Sequence, residues 1–389
     1  MKQLKLGLGA DMSQICLIDA KNFLFRNHFT HRGLAGPDGE PTSVLYGFLT
    51  GLLSLNKRLP DVPLVIVWDG EGETWRHRFL RDHKRSDPIK PKQGTDWVGR
   101  QIAQSINFIT QAKAVRVVSP IQAAAKPRVP AEKPVGYKAN RVNAAQMDDK
   151  VIAVSQIPEL KRAMRGLGLR NYRIPGLEGD DLIGILATAI LKNKLYDSVI
   201  IHSSDTDFHQ LLRDDISILK GVHPEMIWVK AEDVLREYGV SAKEWTKYRA
   251  LTGDTSDNIP KLLYKVGPVK ALKLLRAGVD ASSDLMPTTA VNAVMDMTKG
   301  QLDIDDFQKR LKKNYIACKI LTVDQYAAPM MSPDVTERIT EMLDCLRPKS
   351  FQRSADGRSE AAYREFCEWC SSHGMNELRS KAVEFAELV

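Results

Sequence analysis

Three short apolar runs end in aspartate, and helical patterns lie between them. "QICLIDA" (14–20) runs into Asp19, "PLVIVWDG" (63–70) into Asp69, and "DSVIIHSSDTD" (197–207) into Asp205 and Asp207. Each run has the length and composition of a buried strand. "SVLYGFLTGLLSLNKRL" (43–59) and "DDLIGILATAILKNKL" (180–195) have helical patterns between them. Strands alternating with helices predict an α/β fold: a mainly parallel central sheet with helices on both faces. Such sheets bind ligands outside the carboxyl ends of their strands. All three aspartate groups fall there.

The charge is uneven. The chain of 389 residues has a net charge of +8, and residues 84–141 hold twelve of its 56 Lys and Arg but three of its 48 Asp and Glu. The remainder carries 44 basic against 45 acidic residues, so one segment holds the whole positive balance. A concentrated basic segment is the footprint of a nucleic-acid contact. Within it, "DWVGRQIAQSINFI" (96–109) puts Val98, Ile102, Ile106 and Ile109 on one helical face, and residues 125–136, with three prolines, read as a loop. The 43% hydrophobic content is that of a soluble globular chain, and no run reaches the roughly 18 apolar residues of a membrane span. The opening residues lack the apolar core of a signal peptide, so a cytoplasmic protein is expected. Of five scattered cysteines, only Cys367 and Cys370 form a CxxC, and no fourth ligand joins them and His373. They read as packing residues, not a zinc site.

From about residue 228 the pattern is mostly helical, and the tail reads as two closing helices with Gly374 between them. The expected units are an α/β core over 12–227, interrupted by a basic insertion at about 70–145, then a region over 228–285 and a helical region over 286–389. "LGLG" (6–9) precedes the first strand, so it is no dinucleotide fingerprint.

Nine acids are candidates for one site: Asp19, Asp69, Glu178, Asp180, Asp181, Asp205, Asp207, Asp254 and Asp257. "GLEGDDLIG" places three of them at a helix start, where the dipole tolerates negative charge. Asp254 and Asp257 share a face if their turn is helical. Crowded carboxylates need counter-charge to ionise together. Oxygen donors without His or Cys suit Mg²⁺ or Mn²⁺, and a pair of such ions about 4 Å apart is a common device for phosphodiester cleavage.

"CLIDAKNFLFR", "VIVWDGEGETWRHRF", "YKANR", "IPGLEGDDLIGILA", "IIHSSDTDFHQLL" and "YRALTGDTSDNIPKLLYKVGPVKALKLL" resemble the successive motifs of the 5′-nuclease family: flap endonucleases, phage 5′–3′ exonucleases and the nuclease domain of bacterial DNA polymerase I. The resemblance runs in family order from residue 14 to about 275. It lacks a polymerase domain and so resembles the free-standing, phage-like members. It implies a PIN-like core with two Mg²⁺ ions (Mn²⁺ substituting), cutting DNA near 5′ ends, flaps or nicks to leave a 5′-phosphate and a 3′-hydroxyl. Asp19, Asp69, Glu178, Asp180 and Asp181 match one metal cluster; Asp205, Asp207, Asp254 and Asp257 match the other. Gly179 stands where the family usually has Ala.

The resemblance also implies a helix–hairpin–helix after Asp257 that holds duplex phosphate, with K⁺ as a candidate ion. Gly267 and Lys270 match it, but Lys265 replaces the expected first Gly. The family's arch over the site carries an Arg, which Arg76 matches, and a Lys that touches the scissile phosphate. Lys84 has the spacing of that Lys, and Lys138 has its motif, with Arg141 three residues on as a further DNA contact. An insertion of roughly 50 residues between the two positions reconciles them, and the motif favours Lys138. Trp75, Trp97 and Tyr137 read first as packing residues. Removal of RNA primers from RNA–DNA hybrids, a non-catalytic junction clamp and a PIN-type ribonuclease are the competing readings. Replication proteins are the expected partners.

Overall fold

A computed structural model describes residues 13–80, 144–221, 225–300, 302–325, 333–348 and 360–386. The helix expected at 96–109, the loop at 125–136, and Lys84, Lys138, Arg141, Trp97 and Tyr137 lie outside the described residues.

The chain opens with β1 (Gln14–Asp19), α1 (Ala20–Thr30), α2 (Ser43–Arg58), β2 (Leu64–Val67) and α3 (Trp75–Leu80). After the basic segment come α4 (Ala144–Ser155), α5 (Ile157–Gly166), β3 (Asn171–Tyr172), α6 (Gly179–Lys192) and β4 (Ser198–His202). A 3₁₀ turn (Thr206–Leu211) leads to β5 (Ile216–Lys220) and β6 (Ile227–Val229). The sheet order is β3-β2-β1-β4-β5-β6, parallel except where β6 runs against β5. The expected mainly parallel sheet is present.

Register brings the acids together. Asp19 pairs with Val67, and its neighbour Ile18 pairs with His202. The carboxyl ends of β1, β2 and β4 therefore finish level, with Asp69 two residues past β2 and Asp205 three past β4.

The apolar runs are continuous because both faces are buried. Ile15 and Leu17 enter one core with Val65, Val67, Val199 and Ile201; Cys16 and Ile18 enter the other with Ile66 and Ile200. α6 supplies Leu182, Ile183, Ile185, Leu186 and Ile190 to the first. Both sides of α6 are apolar because helices α7 (Ala231–Tyr238), α8 (Trp245–Thr252), α9 (Pro268–Arg276), α10 (Thr288–Thr298), α11 (Ile304–Cys318) and α12 (Pro333–Cys345) extend the same core. α1, α2 and α5 cover the second face.

The tail closes that second face. α13 (Glu360–Ser372) ends before Gly374, whose φ of +68° takes the left-handed turn. The one further helix expected is two short ones, Asn376–Ser380 and Ala382–Ala386. The break at Lys381 lets Leu378 and Phe385 both reach the core that holds Phe366 and Cys370. All five cysteines are thiols, with Cys370 buried in this core. No helix among the described residues is long and apolar enough to cross a membrane.

Candidate active site

Asp19 ends β1 and caps α1: its Oδ1 accepts from the Asn22 N–H (3.1 Å) and its Oδ2 from the Ser203 hydroxyl (2.8 Å). Asp69 accepts from the Gly179 N–H (2.8 Å) and from Lys21 Nζ (2.5 Å). Two glycines make room there. A Cβ on Gly70 would meet the Ile174 carbonyl oxygen at 1.8 Å, and one on Gly179 would come 3.1 Å from Asp69 Oδ1.

The helix-start acids divide. Glu178 precedes α6 and Asp181 lies in its first turn, with both carboxylates buried. Arg76 donates through Nη1 to Glu178 (2.7 Å) and through Nη2 to Asp181 (2.8 Å) and the Lys319 carbonyl (2.7 Å). Asp181 also accepts from Trp75 Nε1 (2.6 Å) and the Leu321 N–H (3.0 Å). Arg76 is only 2% exposed, with its guanidinium against the two carboxylates. Asp181 is fully buried with both oxygens engaged, and it anchors Arg76.

Asp205 caps the 3₁₀ turn by accepting from the Asp207 N–H (2.9 Å). From α8, Arg249 donates to Asp207 (3.2 Å) and to Asp254. The turn holding Asp254 and Asp257 is not helical. Gly253 (φ +70°) breaks α8, and Asp254 forms a β-bridge with Ile259. The carboxylates meet nonetheless: donor oxygens of Asp207, Asp254 and Asp257 lie within 4.8 Å of one another.

Protonation shows the crowding. Burial, with repulsion from Asp205 and Asp69, pushes Asp19 up to about 6. Burial and the Asp205 charge push Asp207 up to about 7. Lost hydration raises Asp205 too, with Asp257 and Asp254 adding repulsion. Burial acts the same way on Asp69, but the Lys21 charge and hydrogen bond outweigh it and Asp69 falls below the usual range. Lys21 and Arg249 thus neutralise only part of the cluster. An all-carboxylate donor set still holding protons near neutral pH fits hard divalent cations.

Sequence reading missed several residues of this site. Lys21 and Arg249 stood inside motifs with no local sign of their partners. Gln210 gave no sign at all. Its amide donates to the Asp207 and Cys318 carbonyls (2.8 and 3.0 Å) and accepts from Thr246 Oγ1 (3.0 Å) and the Ile320 N–H (2.9 Å). It ties the Asp207 turn to α8 and to the strap 318–321, which also touches Arg76 and Asp181.

Beyond the acids, Lys265 is exposed and takes the left-handed conformation (φ +56°) usually given to Gly. Gly267 caps α9, and Lys270 is exposed in its first turn.

Residues 14–96 and 95–239 match the family model described as 5′-3′ exonuclease, N-terminal resolvase-like domain. A 5′-3′ exonuclease of Aquifex aeolicus is 25% identical over 265 residues, 68% of this chain and 70% of that protein. A thermostable DNA polymerase I of Thermus thermophilus is 27% identical over 263 residues, 68% of this chain but 24% of the polymerase. A bacteriophage T5 flap endonuclease, solved as a pseudo-enzyme–product complex with DNA and metal ions, superposes with a TM-score of 0.53 at 16% identity. The match covers 86% of this chain and 99% of that one, and shows a shared fold.

Proposed function

The chain belongs to the 5′–3′ exonuclease family and is a metal-dependent 5′ nuclease, and from that premise we propose that it hydrolyses DNA phosphodiesters at or near 5′ ends, flaps or nicks, leaving a 5′-phosphate and a 3′-hydroxyl. The observation that carries this is the convergence of carboxylates from β1, β2, β4, the start of α6 and the 254–257 turn on one end of the sheet, with three donors within 4.8 Å.

Mg²⁺, with Mn²⁺ as substitute, would be held by Asp19, Asp69, Glu178, Asp180 and Asp181 on one side and by Asp205, Asp207, Asp254 and Asp257 on the other. Bound there, such ions make water a nucleophile near neutral pH and offset charge on the phosphate. The protein supplies the frame. Arg76 fixes Glu178 from below while Asp181 fixes Arg76. Arg249 spans Asp207 and Asp254, and Ser203 orients Asp19. Lys265, Gly267 and Lys270 form the duplex contact, with exposed cations and the free N–H groups at the start of α9 facing phosphate. That turn is also the place for K⁺. Lys84 or Lys138, with Arg141, would add the arch contacts to the single strand. Primer removal during replication is the setting we propose, with RNA–DNA hybrids as further substrates.

The test is cleavage of end-labelled 5′-flap, nicked, blunt, single-stranded and RNA-primed DNA in Mg²⁺ and in EDTA, beside Asp205→Ala and Asp254→Ala. Metal-dependent cuts near the 5′ end, reduced about 10³-fold in both variants, are expected from losing several kcal/mol of charge stabilisation. Tight junction binding with no cutting in Mg²⁺ or Mn²⁺ would reject the reading.

A further inference from the structure

The chain leaves α11 at Cys318 in an extended strap, with Lys319 at φ −83° and ψ 128°. Successive residues of an extended backbone turn their polar groups to opposite edges. Each edge of this strap meets a different half of the acid site. Along one edge, the Cys318 carbonyl accepts from Gln210 Nε2 (3.0 Å) and the Ile320 N–H donates to Gln210 Oε1 (2.9 Å). Gln210 in turn donates to the Asp207 carbonyl (2.8 Å). Along the other edge, the Lys319 carbonyl accepts from Arg76 (2.7 Å) and the Leu321 N–H donates to Asp181 (3.0 Å). Arg76 is the residue that holds Glu178. The Ile320 and Leu321 side chains are buried in the first core, and α6 seats the backbone between them. A Cβ on Gly184 would run into the Leu321 carbonyl oxygen and come within 2.5 Å of Ile320 Cγ2, so the close approach needs a glycine. One turn on, Thr188 Oγ1 accepts from the Val323 N–H (2.9 Å).

We propose that the strap 318–321 is a positioning element that fixes the separation of the two halves of the acid site. Gly184, Thr188 and Gln210 then govern the reaction while touching neither metal nor DNA. The inference rests on the two-metal nuclease reading above and deepens it. The chemistry needs the two halves to hold their ions about 4 Å apart, and a misplacement of about 1 Å can lower a rate about 10²-fold. The sheet alone does not set that distance. Asp207 lies on a 3₁₀ turn past β4, while Glu178 and Asp181 lie at the start of α6, and like charges push the two groups apart when ionised. Four hydrogen bonds across one short ribbon supply the tie. A strap that served only to connect α11 to α12 would need partners along one edge at most. Here both edges are engaged, one with each half.

The experiment compares the full chain with Gly184→Ala, whose methyl group displaces the strap. In the metal-free proteins, the Ile320 and Leu321 amides should exchange with solvent about tenfold faster in the variant. With Mn²⁺ bound, EPR should show a spin-coupled pair in the wild type and isolated ions in the variant, with both ions retained. Single-turnover cleavage of a 5′-flap junction should fall about 10²-fold, while DNA affinity in Ca²⁺ stays within about twofold. Thr188→Val removes one anchor of the strap without filling space. It should give the same pattern with a rate loss of about tenfold, and it carries the test if Gly184→Ala does not fold. Adding Gly184→Ala to Gln210→Met should lower the rate by less than the product of the single losses, because both cut the same link. Faster amide exchange with unchanged spin coupling and rate overturns the strap as a spacer. So does a rate loss matched by a loss of DNA affinity, or fully multiplicative losses in the double variant. Unchanged exchange in both variants would overturn the seating by Gly184 and Thr188. Failure of the wild-type protein to bind a pair of Mn²⁺ ions or to cut any DNA would instead overturn the two-metal reading beneath it.

Discussion

The two halves of the acid site handle the same problem differently. On the α6 side, Glu178 and Asp181 are buried and share one buried arginine. On the 3₁₀ side, Asp205, Asp207, Asp254 and Asp257 surround an open space, with Arg249 reaching two of them and Asp207 still protonated near neutral pH. In the first half the protein supplies a buried cation, although burial still holds Asp181 above the usual carboxylate range. The second is left short of positive charge, and that deficit is what recruits metal.

Breaking the first half should have the largest effect. Arg76→Met strands two buried carboxylates, and should cost about 3–5 kcal/mol of stability, read as a fall in the urea midpoint. If the midpoint holds, the arginine was not the anchor. Acid should next separate the site from the core behind it. Burial lowers His202 and His209 to about 4, below the usual 6.5, so the unfolded chain binds protons that the folded one refuses. Their stabilisation is full above about pH 6.5 and is lost as pH falls through 4. Asp19 and Asp207, raised to about 6 and about 7, take up protons on folding over the same window and oppose this, so the readout is a comparison with a His202→Gln/His209→Gln variant. The wild-type urea midpoint should fall relative to the variant's as pH drops from about 6.5 to about 4, and parallel profiles would reject neutral buried histidines.

Gln210→Met tests the open half without touching an acid. Loss of its four hydrogen bonds should weaken Mn²⁺ binding about 10- to 100-fold, the range for residues that orient metal ligands, at little cost in DNA affinity. Unchanged Mn²⁺ affinity would show that the Asp207 turn holds itself. The smallest effect should come from Lys265→Gly. It relieves a left-handed non-glycine residue, a gain of about 1 kcal/mol, and, on the proposed duplex contact, should flatten the salt slope for nicked DNA by about 0.9.

Much of this was legible in the sequence because strand, turn and acid are local to one another. Asp19, Asp69, Asp205 and Asp207 follow apolar runs directly, and α6 begins where Glu178 and the Asp pair announce it. What was illegible depended on distance along the chain. The partners of Arg76 could not be read from its motif, since Glu178 and Asp181 lie about a hundred positions away and reach it only through the sheet. Gln210 has its partners in three segments, its own turn, α8 and the strap 318–321. The two-residue β3 and the reversed β6 carry too little pattern to register, and the 254–257 turn looked helical because spacing alone does not report the Gly253 break.

The closing of the second core by the tail has a consequence for synthesis. Phe366, Leu378 and Phe385 complete an apolar face begun by Ile18, Phe48 and Leu52. More than 300 residues separate Leu52 from Phe366, so at about 5–20 residues per second a ribosome leaves that face uncovered for roughly 15–60 s. During that interval the nascent chain presents an uncovered apolar surface.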